Sequence, residues 1–375
     1  MRAHLPLLLL PLLLGLLSTL QASPPPPPIN PRLEAAYIAL QAWKNSIVSD
    51  PKNLTLNWYG PDVCSYFGIY CAPSPDDPHT TTVAGIDLNH GDMVGHLPED
   101  LGLLSDLALL HINSNRFCGT IPKSFAHLRL LHELDASNNR FAGPFPDVLL
   151  CLPSLRYLDI RYNEFEGKIP RKLFDLPLLD GVFLDNNRFK SRIPSNIGNS
   201  RASVIVLANN RLAGCLPSSL GEMTGTLDEI ILMNNGLASC VPAEIGALNV
   251  TVFDVSFNKL AGPLPDSIGD MKSLEQLDLA HNRLSGEIPE SVCGGLKRLE
   301  NFTYSYNYFE GEPKSCLGLK AKDDRRNCIP GRPKQRSERE CEAFLSRPVH
   351  CESFGCSPPP TSSSPPPPYH LPPIY

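Results

Sequence analysis

The sequence predicts an α/β solenoid of about ten stacked copies of one supersecondary unit, on three observations. The pattern L-x-x-L-x-L-x-x-N recurs between Val83 and Pro313, so that Leu155, Leu158, Ile160 and Asn163 repeat the phases of Leu131, Leu134, Ala136 and Asn139. Its Asn phase falls at Asn115, Asn139, Asn163, Asn187, Asn210, Asn235, Asn258, Asn282 and Asn307, a period of 23 to 25 residues, with Gly91 in that place in the first, degenerate copy. Each copy then continues into a G-x-I-P-like phase, as in Gly167, Ile169, Pro170 and in Gly143, Phe145, Pro146. A fixed period of this length marks a repeat architecture. Apolar phases 1, 4 and 6 point inward from a short strand and its turn, and a buried Asn side chain satisfies backbone groups where the chain bends. One copy cannot bury its own apolar face, so the copies must stack.

These phases are the leucine-rich-repeat signature, and the added G-x-I-P phase resembles the plant extracellular subclass, in which a second short strand follows the first. The remaining elements fall into place around it. Residues 1–22 read as a secretory signal peptide cut near Ala22, with Arg2 ahead of an almost pure Leu and Pro run from Leu5 to Leu17. That run is too short to span a bilayer, and no later stretch supplies the roughly 18 apolar residues a spanning helix needs. The chain is therefore expected to be secreted and extracellular, not membrane-spanning. Residues 23–31 form a Pro-rich stub, Ser23 followed by Pro24 to Pro28, with nothing to build a core. Residues 32–82 are expected to form an N-terminal cap. Leu33, Ala36, Tyr37, Leu40 and Trp43 recur at helical spacing ahead of Pro51 and predict an amphipathic helix over 32–47. Trp58 with Cys64 and Cys71 resembles the cap that covers the open end of plant repeat proteins.

Twelve cysteines in a secreted chain favour disulfides over metal ligation. The sequons at Asn53, Asn249 and Asn301 suit the same compartment as glycosylation sites. Cys215 and Cys240 each stand five residues after the Asn of adjacent copies, which predicts a bond between them across one rung. Cys293 and Cys316 are expected to staple the last rung. Cys118 and Cys151 differ in phase; they are buried thiols or one pairs with a second chain. After the repeats of 83–316, residues 317–356 are a Cys-rich hinge with Cys328, Cys341, Cys351 and Cys356. Nine bases against six acids make this hinge about +3, leaving about −9 for the rest of a chain whose formal charge is −6. Few apolar residues are present there, so disulfides must supply its order. The spacings of its cysteines lack the paired C-x-x-C geometry of a zinc site. Residues 357–375 are a short Ser-Pro tail.

No catalytic constellation emerges: the ten histidines are scattered, and neither G-x-S-x-G nor H-E-x-x-H occurs. The chain is not expected to be an enzyme or to hold a metal or other cofactor. The concave strand face remains, where phases 2, 3, 5, 7 and 8 are expected to point to solvent. Phase 5 carries Asp135, Asp159, Phe183, Ile231, Asp254 and Asp278, and neighbouring phases add Glu133, Asp180, Asp185, Asp228, Glu229 and Glu300. Bases on these phases are fewer, mainly Arg156 and Arg161, with histidines at His90, His111, His132 and His281. An apolar strip runs alongside through Tyr157, Phe183, Ile231, Met233, Phe257 and Tyr306. Apolar anchors beside fixed acids compose an interaction surface for a basic peptide or protein. The charge sign disfavours acidic pectin on this face and, with the compartment, excludes nucleic acid.

Several segments go beyond the generic repeat: Asn113-Ser-Asn-Arg-Phe-Cys-Gly119, Leu158-Asp-Ile-Arg-Tyr-Asn-Glu-Phe-Glu-Gly167, Asn301-Phe-Thr-Tyr-Ser305 and the cysteine-bearing hinge before the Ser-Pro runs. With the cap, they make residues 32–375 similar to the plant leucine-rich repeat extensins, as a member with a very short extensin tail. The resemblance implies a cell-wall protein whose repeats bind basic, cysteine-rich rapid alkalinization factor peptides, and it implies a homodimer. Cell-wall polymers and a membrane receptor are the further partners it leaves open. It also implies hydroxyproline, with arabinose, in the Ser-Pro runs. Two other classes compete. An inhibitor of polygalacturonase would use a similar repeat face but lacks the four-cysteine hinge and the tail. A purely structural wall glycoprotein calls for a long cross-linkable tail.

Overall fold

Each repeat places a short strand around its phase-4 residue, and these strands stack into a single long sheet. The computed structural model describes residues 30–356; the expected signal peptide, most of the Pro-rich stub and the Ser-Pro tail lie outside the described residues. Eleven parallel strands form the sheet, from Thr81–Asp87 (rung 1) through Leu109–His111, Glu133–Asp135, Tyr157–Asp159, Gly181–Phe183, Val204–Val206, Glu229–Ile231, Val252–Asp254, Gln276–Asp278 and Asn301–Thr303 to Ala321–Asp323 (rung 11). Ile69–Pro73 adds an antiparallel strand at the N-terminal edge. Equal phases face each other: Glu133, Leu134 and Asp135 pair with Tyr157, Leu158 and Asp159. Phase-4 and phase-6 residues such as Leu134, Ala136, Leu158 and Ile160 are accordingly fully buried.

The Asn ladder explains why Asn recurs at phase 9 in every copy from Asn115 to Asn307. Asn163 Nδ2 donates to the carbonyls of Ala136 (2.9 Å), Ile160 (3.2 Å) and Arg161 (3.2 Å), and its Oδ1 accepts from the Phe141 amide (2.9 Å). One side chain thus satisfies backbone groups of two rungs that would otherwise be buried without partners. The residue before each Asn takes the left-handed conformation, as in Tyr162 (φ 52°), Phe257 (φ 52°), His281 (φ 55°) and Tyr306 (φ 58°). That turn throws the phase-8 side chains out along one edge of the concave face.

The second short strands also stack in parallel, but their register slips. Ala142, three residues past its Asn, faces Glu164, one residue past the next Asn. This two-residue offset overturns the expected Cys215–Cys240 bond. Gly214 faces Leu237, so Cys240 stands about two residues along the strand from the position opposite Cys215. At about 3.3 Å per residue and 4.8 Å between strands, their Cα atoms are roughly 8 Å apart, beyond disulfide reach. Each instead bonds to the hinge, Cys215 to Cys356 and Cys240 to Cys351, with Cα separations of 5.6 and 5.5 Å. The pairs Cys64–Cys71 and Cys293–Cys316 form as expected, and Cys328–Cys341 closes within the hinge. Cys118 and Cys151 are unpaired and exposed, not buried.

The stacking runs one rung past residue 316. Rung 11 escapes the apolar pattern because Lys322 and Asp324 occupy its phases 4 and 6, where they pair inward. Lys322 Nζ lies 2.8 Å from Glu312 and 3.2 Å from Asp324, Arg332 lies 2.6 Å from Asp324, and the buried Tyr304 hydroxyl bonds Glu312. Asn327 completes the ladder, accepting from the Phe309 amide at 3.1 Å. At the other end, helix Pro31–Ser46 is capped by Asn30 and buries Trp43 against Trp58, ring centroids 6.0 Å apart. In the hinge, helix Glu338–Leu345 opens with a Ser337/Glu340 capping box and lays Phe344 on the Tyr308 ring at 3.6 Å.

Candidate functional site

The concave face consists of side chains that flank buried phase-4 residues on successive rungs, about 4.8 Å apart. The expected site residues share this one sheet and its margins. Glu133, Asp135, Tyr157, Asp159, Phe183, Glu229, Ile231, Asp254 and Asp278 lie on the strands. Asp180, Asp228 and Glu300 directly precede a strand, Asp185 and Met233 follow two residues after one, and Phe257 and Tyr306 occupy the left-handed edge positions. The face has three zones, of which the middle, on rungs 6 and 7, is apolar: Val206, Ile231 and Met233 are half-exposed, with Asp228 exposed beside them.

The zone on rungs 3 to 5 corrects the expectation that phases 5 and 7 face solvent. Asp159 is 0% exposed and Asp185 only 6%. Tyr157 and Phe183, ring centroids 5.3 Å apart, close over them together with Arg161. Arg161 Nε lies 3.0 Å from Asp159, its backbone amide donates to the same carboxylate at 3.1 Å, and its guanidinium sits 5.2 Å from the centre of the Phe183 ring. Burial pushes the Asp159 carboxyl up to about 7, the neighbouring Asp135 and Asp185 adding to the shift and Arg161 opposing it. Burial likewise raises Asp185, and raises Tyr157 to about 12 with the help of Asp159. The acidic column therefore carries less charge at neutral pH than a count of its acids suggests.

The zone on rungs 8 to 11 combines Asp254 and Asp278 with an aromatic ladder. His281 lies between Phe257 and Tyr306, at 4.1 and 4.2 Å with rings tilted by only 12° and 11°. Phe257 is 46% and Tyr306 37% exposed, so the stack presents ring edges to solvent. Burial lowers the His281 pKa against the pull of Asp278 and Asp323. Burial also raises Asp254, with the Asp278 charge on the next rung adding. The sequence marks Phe257 and Tyr306 as part of the strip, but it does not set His281 apart from the other histidines or give Arg161 a role. The recurrence of aromatic rings at phase 8, counted by rung, is the signal for the ladder.

All three sequon asparagines are exposed, and Asn301 lies on rung 10 of the concave face itself. Among the described residues no group of three or more His, Cys, Asp or Glu is arranged to hold a metal ion, and no helix is long and apolar enough to cross a membrane.

Comparison with known proteins agrees with this architecture. Residues 37–72 match the leucine rich repeat N-terminal domain, and residues 106–128, 154–176 and 273–294 match the leucine rich repeat family. The chain is 60% identical over 334 residues to leucine-rich repeat extensin-like protein 6 of Arabidopsis thaliana, covering 89% of this chain and 71% of that protein. It is 61% identical over 328 residues to extensin-like protein 4 of the same plant, covering 87% of this chain and 66% of that one. Among solved structures, the ectodomain of the Arabidopsis receptor kinase HAESA, crystallised with an N-terminally extended IDA peptide hormone, superposes with a TM-score of 0.65 at 28% identity, over 79% of this chain and 50% of that one.

Proposed function

Because the chain belongs to the plant leucine-rich repeat extensin family, we propose that its concave face binds a basic, cysteine-rich peptide of the rapid alkalinization factor type outside the cell, at the wall, and so links wall integrity to growth. One observation carries the reading: a single continuous face joins the apolar strip Phe183, Val206, Ile231 and Met233 to flanking acids on rungs 3 to 5 and 7 to 10. Apolar contacts of this kind supply affinity, and the acids steer a cationic partner and reject an anionic one. The peptide hormone bound by the related HAESA ectodomain supports a peptide as the ligand class. The domain organisation proposed with this function is a signal peptide, a Pro-rich stub, a cap, the repeats, the hinge and a Ser-Pro tail.

The test is a calorimetric titration of residues 29–356 with folded, disulfide-bonded peptides of this type at two salt concentrations. Binding that weakens with salt, and is lost when Asp228 and Glu229 are both replaced by Lys, is the expected result. Silence across the panel together with inhibition of a polygalacturonase would replace this reading with the inhibitor one.

A further inference from the structure

The rung 3 to 5 zone holds an imbalance that the fold does not need. Asp159 and Asp185, both buried, face one cation between them, Arg161. The groups around Asp159 are Tyr157 and Arg161 from its own rung, Asp135 from the rung before, and Phe183 and Asp185 from the rung after. One oxygen of Asp185 accepts from Asn186 at 2.7 Å. Its other oxygen, Oδ1, is buried without any hydrogen-bond partner, in a residue only 6% exposed and close enough to feel the Arg161 charge. A buried carboxylate oxygen left unpaired is costly, and native proteins retain such atoms where something else completes them. Arg161 is the solvent-facing part of this arrangement: its side chain is 39% exposed while Asp159 beneath it is fully covered.

We propose that Tyr157, Asp159, Phe183 and Asp185 form a subsite for one guanidinium group of the ligand, and that Arg161 is its built-in occupant, displaced when the ligand's arginine binds. The inference rests on the peptide-binding reading and deepens it. A planar guanidinium stacks on an aromatic face and bridges two carboxylates with its fork of donors, which an ammonium group does less well. Arg161 already shows half of that geometry, lying over Phe183 and paired with Asp159. Tethered to the same rung, it leaves Asp185 Oδ1 unfilled. An arginine arriving from outside is free of that tether and can satisfy both acids. Arg161 is then a competitor of the ligand, so its loss strengthens binding where the loss of an ordinary contact residue weakens it.

The experiment measures affinity for one rapid-alkalinization-type peptide in the wild type and in Arg161→Gln, Asp185→Asn and Asp159→Asn, with thermal melts confirming that each variant is folded. Arg161→Gln is expected to tighten binding by about two- to five-fold, the scale of a half-exposed ion pair no longer competing. Asp185→Asn, which keeps the shape and the Asn186 contact site, is expected to weaken it by roughly ten-fold or more. Weaker or unchanged binding in Arg161→Gln overturns the proposal while leaving the peptide reading intact. If no peptide binds the wild type, the peptide reading fails, and saturation-transfer NMR with L-argininamide decides the subsite on its own. A signal that grows in Arg161→Gln and disappears in Arg161→Gln/Asp185→Asn upholds the subsite; equal signals in all three proteins overturn it.

Discussion

Replacing Asp159 by Asn should stabilise the protein, by a gain that is absent near pH 4, grows between about pH 4 and 7 and is complete above pH 7. The side chain is fully buried, and its carboxyl is pushed up to about 7, chiefly by that burial, whereas in an unfolded chain an Asp titrates near 3.9. Below about pH 4 both states hold the proton, and the group contributes nothing to pH dependence. Between about pH 4 and 7 the unfolded chain ionises while the folded one does not, so the folded state binds more protons and stability falls as pH rises. Above pH 7 the full difference of about 3 pKa units is lost, about 4 kcal/mol at 1.36 kcal/mol per unit. Asn keeps the shape and can still accept the Arg161 amide but carries no charge at any pH. The attraction of Arg161 for the charged form is already contained in that shift, so its loss is not subtracted a second time. The expected gain at pH 8 is therefore about 4 kcal/mol. For roughly 330 ordered residues at about 2.1 cal/mol/K each, that raises Tm by about 6 °C. Guanidinium chloride melts of both proteins at pH 4, 6 and 8, disulfides intact, measure the difference directly. A gain already present at pH 4, or none at pH 8, refutes the burial argument.

Two further changes test the scaffold. Asn163→Ala strips hydrogen bonds from Ala136, Ile160, Arg161 and Phe141 at once, and at about 1 kcal/mol or more per buried group left unpaired it should cost roughly 3 to 5 kcal/mol; hydrogen exchange should accelerate first at the Phe141 amide, and uniform protection there would show that the ladder is not held by this side chain. Replacing Cys351 and Cys356 by Ser releases the hinge from rungs 6 and 7, so limited proteolysis should cut between residues 329 and 350 at least several-fold faster while the repeats stay intact, whereas unchanged cleavage would mean that packing of Phe344 on Tyr308 is enough to hold the segment.

What was legible in the chain and what was not divide along a physical line. The stacking of phases 1, 4, 6 and 9 could be read because each of those positions meets its own copy in the next rung, so the environment of Leu158 is set by Leu134 and Val182, and local pattern equals tertiary contact. The cap was readable for a similar reason, since Trp43, Trp58 and the Cys64–Cys71 pair are close in sequence as well as in space. Where either condition fails, the reading fails with it. Cys215 and Cys240 share a phase, but the second sheet slips by two residues per rung, an offset produced by superhelical geometry that no single repeat displays. Rung 11 hid because Lys322 and Asp324 fill apolar phases, and only the distant partners Glu312 and Arg332 make that tolerable. Asp159 and Asp254 share phase 5, yet only the former is fully covered, because its neighbours at Tyr157 and Phe183 are aromatic while those of Asp254 are not. Identical letters at identical phases thus acquire different exposure from the side chains that flank them on adjacent rungs. On a solenoid the backbone repeats, and the chemistry of the face is written in the departures from the repeat; the two-carboxylate, one-arginine imbalance at rungs 4 and 5 is one such departure, and it falls on the face where a cationic ligand would lie.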